Sequence, residues 1–201
     1  MQLGSENMIG GIGYRRPVGL LGGSFSPPHQ GHVHISEVAL KMFDLGKIYW
    51  VFAKQNPLKK VAPSSLEDRF LKTKKLIKTP NIKLSSIEIR NNFQYSFHLL
   101  KFLKKRNSHI NFILVMGEDN IINFHLWKNW RWIANNVKIA VIARGSNRSL
   151  VNSSTFALKY RAFRLKSQQS AQLQHFKTPI WCVVDSKKFN LSSTDLRLNA
   201  K

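Results

Sequence analysis

Negative charge is scarce in this sequence: ten Asp and Glu stand against 32 Lys and Arg, a formal charge of +22. Such a surface favours anionic partners. Nucleic acid is the obvious polyanion, yet the lysines lie scattered in pairs such as Lys59-Lys60, Lys74-Lys75 and Lys104-Lys105. No zinc-finger or RNA-recognition motif accompanies them. A solvated basic surface or a phosphate-rich small substrate accounts for the charge as well, and a nucleic-acid-binding protein remains the distant alternative. Cysteine is nearly absent; Cys182 stands alone, which excludes an internal disulfide and fits a reducing, cytoplasmic setting. No apolar run approaches the ~20 residues of a membrane span. The first residues, "MQLGSENMIGGIGYRRP", lack the basic-then-apolar order of a secretory signal. They read as a flexible leader over 1–17, ahead of one domain over 18–201.

What is present is a regular alternation. At 43 % hydrophobic the chain can bury a full core. Short apolar, β-rich runs at 18–22, 48–53, 82–89, 110–116, 137–143 and 179–184 predict buried strands. Between them lie helical signals. "SSLEDRFLKTKKLIK" carries Ser64 and Glu67 at capping-box spacing, with Leu66, Phe70, Leu71 and Ile77 expected on one side. "YSFHLLKFLKK" and "STFALKYRAFRLK" are similar. Strands alternating with helices predict an α/β, Rossmann-like, doubly wound parallel sheet with helices on both faces. Ligands of such sheets bind beyond the carboxyl ends of the strands. The Ser-, Gln- and Arg-rich stretch 145–178 is the least regular and is expected to pack loosely.

One stretch concentrates unusual residues: "LGGSFSPPHQGHVH", Leu21 to His34. With 18–22 as the first strand, Gly22-Gly23 falls at its carboxyl end, where glycine permits a sharp turn and close approach of a ligand to the backbone. Pro27-Pro28 stiffens the exit. His29 and His32 are expected on one face of the first turn of the next helix, beside unpaired N–H groups that suit an anion. The spacing also fits two zinc ligands, but no third ligand stands in a metal pattern, so no protein-held metal is expected. A P-loop lysine motif is absent. A plain turn with solvent-facing histidines is the alternative reading.

"GGSFSPPHQGH" resembles the HxGH signature of the nucleotidylyltransferase superfamily, and "LSSTDLR", Leu191 to Arg197, resembles its second signature, ISSTxxR. "NPLKK", "SSIEIRNNFQYSFHLL" and "MGEDNIINFHLWKNWRWI" are similar to segments of the bacterial nicotinate-nucleotide adenylyltransferases. Ser26, Ser86 and His98 depart from the acidic or amide residues common there. The resemblance implies adenylyl transfer from ATP to nicotinate mononucleotide, with Mg²⁺ held mainly by the ATP phosphates. Nicotinamide-nucleotide and pantetheine-phosphate adenylyltransferases are the nearest alternatives.

The same resemblance implies the roles. Gly22, Gly23, Ser24 and Phe25 bring backbone amides to the ATP phosphates. His32 donates to the α-phosphate and His29 assists. Ser192, Ser193 and Thr194 supply hydroxyls and a helix N-terminus, and Arg197 forks onto the β- and γ-phosphates. Asp119 meets ribose hydroxyls, Trp127 stacks on the nicotinate ring while Trp130 and Trp132 pack, and Ser96 lines the mononucleotide site. Lys59 is assigned to that site too; Lys59 or Lys60 reaching the triphosphate, or a solvated lysine pair, are the other readings.

Overall fold

The computed structural model describes residues 16–54, 63–143 and 148–186. Seven strands form one parallel sheet: β1 (Val18–Gly23), β2 (Lys47–Phe52), β3 (Ile82–Ser85), β4 (Phe112–Gly117), β5 (Lys138–Ala143), β6 (Arg164–Leu165) and β7 (Trp181–Asp185). Their order is β3-β2-β1-β4-β5-β7-β6. The helices are α1 (Gln30–Met42), α2 (Leu66–Leu76), α3 (Ile87–Arg90), α4 (Ser96–Arg106), α5 (Glu118–Ile122), α6 (Trp130–Asn136), α7 (Arg148–Ser153) and α8 (Thr155–Lys159).

Adjacent residues of a strand point to opposite faces, and here both faces are buried. Leu20 and Leu114 join one core with Leu99 and Leu103 of α4, Ile133 of α6 and Phe156 of α8. Their neighbours Leu21 and Val115 join the other, with Val33 and Ala39 of α1 and, at its margin, Phe70 of α2. That is why the strands read as unbroken apolar runs. Among the described residues no helix is long and apolar enough to cross a membrane.

The chain runs outward from β1 to β2 and β3, then returns to β1's other side with β4. The direction of winding therefore reverses between β1 and β4, and their carboxyl ends, Gly23 and Gly117, flank that crevice. In sheets of this kind the reversal point is where a ligand is received.

The structure corrects the sequence reading of the fold in several places. The run 82–89 is not one strand: β3 stops at Ser85 and Ile87–Arg90 is a helical turn. The cap of α2 is Ser65, whose hydroxyl accepts from Asp68 N at 3.2 Å; Ser64 instead donates its backbone N–H to Ser26 Oγ at 3.1 Å. Leu71 is exposed rather than on the packed side of α2. "STFALKYRAFRLK" is a short α8 followed by a 3₁₀ turn at Arg161–Phe163 and then β6. Finally, the described part of 145–178 is well packed: Val151 and Leu173 are fully buried, and Tyr160 accepts the Trp181 indole N–H on its carbonyl at 2.8 Å. The leader lies almost wholly outside the described residues.

Candidate active site

The opening stretch folds into a compact cradle at the end of β1. Phe25 adopts φ 47°, a left-handed conformation that costs a bulky residue steric energy. Its ring offsets that cost by stacking on Trp50 (4.8 Å between centroids, 9° between planes) and meeting Phe52 edge-on at 5.2 Å. The ring also folds back over Gly23, where an added Cβ would lie 3.1 Å from it. The missing side chain at Gly23 thus serves Phe25. Gly22 faces the other way, with Ser96 Oγ 3.9 Å from the position its Cβ would take.

His29 is not in the first turn of α1, as the spacing suggested, but is its N-cap, with His32 at the third helical position. The two form a capping box made of imidazoles. His29 Nδ1 accepts Gly31 N–H at 3.1 Å, and His32 Nδ1 accepts His29 N–H at 3.3 Å. Their rings lie 3.8 Å apart. A nitrogen that accepts an N–H carries no proton, so each neutral ring bears its own on Nε2. The helix backbone therefore selects the Nε2–H tautomer in both rings. The first turn of α1 holds no acidic residue to compete with an anion.

His32 is held from behind as well. Phe25 and Trp50 contact it edge-on at 5.1 and 5.6 Å. Trp50 Nε1 donates to Ser36 Oγ at 2.7 Å, and Ser36 Oγ donates to His32 O at 2.9 Å. Trp50→Phe keeps the ring stack and removes the head of this chain. It should lower stability by about 1–2 kcal/mol, the cost of one lost buried hydrogen bond plus a small void. Urea unfolding measures it; an unchanged midpoint would show that the indole N–H holds nothing.

Arg69 was not singled out by the sequence. Although charged, it is 3 % exposed. Its Nη1 donates to Ser24 O at 2.8 Å and Ala53 O at 3.0 Å, tying the exits of β1 and β2 together. Burial lowers its pKa from the usual value, yet a guanidinium keeps its charge at any working pH.

Across the crevice, Asp119 sits in the first turn of α5, just past β4, and is exposed. Its Oδ1 lies 2.7 Å from where a Gly117 Cβ would be, so the carboxylate folds back over the strand end. Trp127 closes the 3₁₀ turn Phe124–Leu126, half-buried, edge-on to Phe124 at 5.4 Å. Trp130 is largely buried, and Trp132 meets Phe97 edge-on at 5.1 Å, as packing residues would. Ser96 begins α4 beside Gly22. Among the described residues no three His, Cys, Asp or Glu side chains converge as a metal cage. Lys59, Lys60, Ser192, Ser193, Thr194 and Arg197 lie outside the described residues.

A cytidylyltransferase-like family model matches residues 20–199. The chain is 40 % identical over 180 residues to a probable nicotinate-nucleotide adenylyltransferase of Ruegeria sp. (strain TM1040), spanning 90 % of this chain and 95 % of that one. It is 38 % identical over 185 residues to a protein of the same description from Agrobacterium fabrum, spanning 92 % and 99 %. In fold it is similar to the Plasmodium falciparum nicotinic acid mononucleotide adenylyltransferase complexed with APC. There the TM-score is 0.67 at 17 % identity, over 91 % of this chain and 83 % of that one. The same Plasmodium enzyme complexed with NaAD aligns equally well, at 18 % identity. By sequence over nearly its whole length, the chain belongs to the cytidylyltransferase-like family and, within it, to the nicotinate-nucleotide adenylyltransferases.

Proposed function

We infer that the protein transfers the adenylyl group of ATP to nicotinate mononucleotide, giving deamido-NAD and pyrophosphate, a step of NAD biosynthesis. The observation that carries the chemistry is the imidazole capping box at the end of β1. A phosphate oxygen of the mononucleotide attacks the α-phosphorus in line, and the bond to the pyrophosphate oxygen breaks. Such transfers need positioning and charge stabilisation rather than a nucleophilic side chain. Neutral imidazoles fixed as Nε2–H donors meet that need, because they answer the charge gathering on phosphate oxygens without reorganising.

In this reading His32 donates to the α-phosphate, and His29 assists on the ATP phosphates. The amides of Gly22 to Phe25 lie alongside, with Arg69 fixing the Ser24 carbonyl behind them. Ser192, Ser193, Thr194 and Arg197 complete the triphosphate site. Lys59, Ser96, Asp119 and Trp127 form the mononucleotide side. Mg²⁺ bound with ATP would be held mainly by the phosphates and would supply positive charge against the leaving pyrophosphate. No protein cage is required of it. We place residues 18–201 in one catalytic domain working in the cytoplasm, with 1–17 as a leader.

Pyrophosphate release from ATP and Mg²⁺, measured with three acceptors in parallel, tests the reading. Nicotinate mononucleotide should exceed its amide in kcat/KM by about tenfold or more, because a carboxylate only accepts hydrogen bonds whereas a carboxamide turns an NH₂ toward the same donors. Phosphopantetheine should release none. Equal rates for acid and amide would remove the specificity and leave the transfer chemistry in place.

A further inference from the structure

Glu88 is a buried acid that the chemistry above leaves unused. It lies on α3, just beyond the end of β3, and is 3 % exposed. One carboxyl oxygen, Oε1, is buried without a hydrogen-bond partner among the described residues. The carboxyl accepts the hydroxyl of Ser96, the first residue of α4, which in turn lies beside Gly22 at the end of β1. The helix behind Ser96 is unusual at its start. Its cap residue, Tyr95, provides no side-chain bond to the first-turn amides, and no acidic residue occupies that turn. Ser96 has the hydroxyl such an end commonly uses, but that hydroxyl bonds Glu88. The positive end of α4 is thus left for something else, with a half-satisfied carboxyl next to it.

We propose that Glu88 is a proton-linked positioning residue of the mononucleotide site: the anionic mononucleotide binds the form in which Glu88 keeps its proton, and ionisation of Glu88 weakens that binding without slowing the transfer step. The proposal rests on the reading that places Ser96 in that site. A protonated Glu88 is neutral and accepts from Ser96. An ionised one adds negative charge beside the end of α4 that would receive an anion. Burial pushes the Glu88 carboxyl up to about 7, with the Ser96 hydroxyl pulling the other way, so both forms are populated near neutrality.

Other ionisable groups lie on the elements packed around Glu88. They are Lys47 and Tyr49 on β2, His98 and Lys101 in the early turns of α4, Arg90 on α3 itself and Lys54, which bonds Asn92 beyond it. All of these remain in Glu88→Gln, which retains an acceptor for Ser96 and a donor in place of the acid proton. The difference between variant and wild type therefore isolates Glu88.

The experiment is steady-state kinetics from pH 6 to 8.5 on both proteins. The wild-type KM for nicotinate mononucleotide should rise on the order of tenfold more than that of Glu88→Gln. The kcat values and the KM for ATP should run in parallel. Superimposable KM profiles, with normal turnover of the mononucleotide, overturn the proposal alone. A pH difference carried by the KM for ATP overturns the placement of Ser96 and the proposal with it. Absence of any turnover by wild type with nicotinate mononucleotide overturns the function instead. Calorimetry on the wild-type protein needs no variant: titrating the mononucleotide at pH 7.5 in buffers of different ionisation enthalpy should show net proton uptake. No uptake overturns the linkage.

Discussion

His32→Ala is expected to leave the sheet intact and to lower turnover by at least 10²- to 10³-fold, the usual effect of deleting a donor aimed at developing charge. The loss should fall on kcat and kcat/KM together, because the interaction strengthens as charge moves onto the phosphates. The variant also removes half of the capping box, since His32 Nδ1 accepts the His29 N–H. That alone would cost about 1 kcal/mol of helix stability and would loosen His29. His32→Gln separates the two effects. Glutamine at the third helical position is the ordinary partner in a capping box and can accept the same N–H. It lacks the ring edge that carries Nε2–H. We expect His32→Gln to recover most of the wild-type Tm and little of the turnover. If His32→Gln recovered turnover as well, His32 would be a cap and not a donor. Near-wild-type turnover of a folded His32→Ala would remove it from the mechanism altogether.

The sequence disclosed this part of the site well because each residue in it is restrictive. Glycines at a strand end, paired prolines and two histidines three apart leave few backbone paths. The sheet was legible for a related reason: strands buried on both faces cannot hide polar residues, so each appears as an apolar run. The errors fall where that logic fails. "IKLSSIEI" alternates as a strand should, but the apolar Ile87 reaches the core from a helical turn rather than from an extended one. Strand β6 is only two residues long, too short to produce a period. The least legible residues were Arg69 and Glu88. In "SSLEDRFLKTKK" one more charge looks like solvated surface, and "IEIR" presents Glu88 as the outward member of an alternation. Only the folded chain shows that both charged groups are buried around the exits of β1, β2 and β3. Nor did the sequence show that the bare face of Gly23 is covered by the Phe25 ring.

Arg69→Met should be the most destabilising single change near the site. The native guanidinium has already borne its desolvation, and its return is two charge-assisted bonds to Ser24 O and Ala53 O plus packing over Phe52, 5.8 Å from the ring centroid. Methionine fills similar space and removes the cost of burying charge, which works in the variant's favour. Against that, two half-buried carbonyls lose their donor, at about 1–3 kcal/mol each. Arg69 Nε has no partner among the described residues, so the native cation is only partly satisfied and its removal offsets part of that loss. We expect a net loss of about 2–4 kcal/mol in denaturant unfolding. The consequence for function follows from which carbonyls are released. Ser24 lies between Gly23 and Phe25, whose left-handed backbone needs support from both sides. Once freed from Arg69, the turn should relax toward ordinary φ values and withdraw the amides proposed to meet the triphosphate. The KM for ATP should then rise by about tenfold or more, while that for the mononucleotide changes less. Arg69→Lys places a point charge that can serve one carbonyl at a time and should fall between. A stable Arg69→Met with an unchanged KM for ATP would show that the turn keeps its shape without the cation, and that Phe25 stacked on Trp50 suffices to hold it.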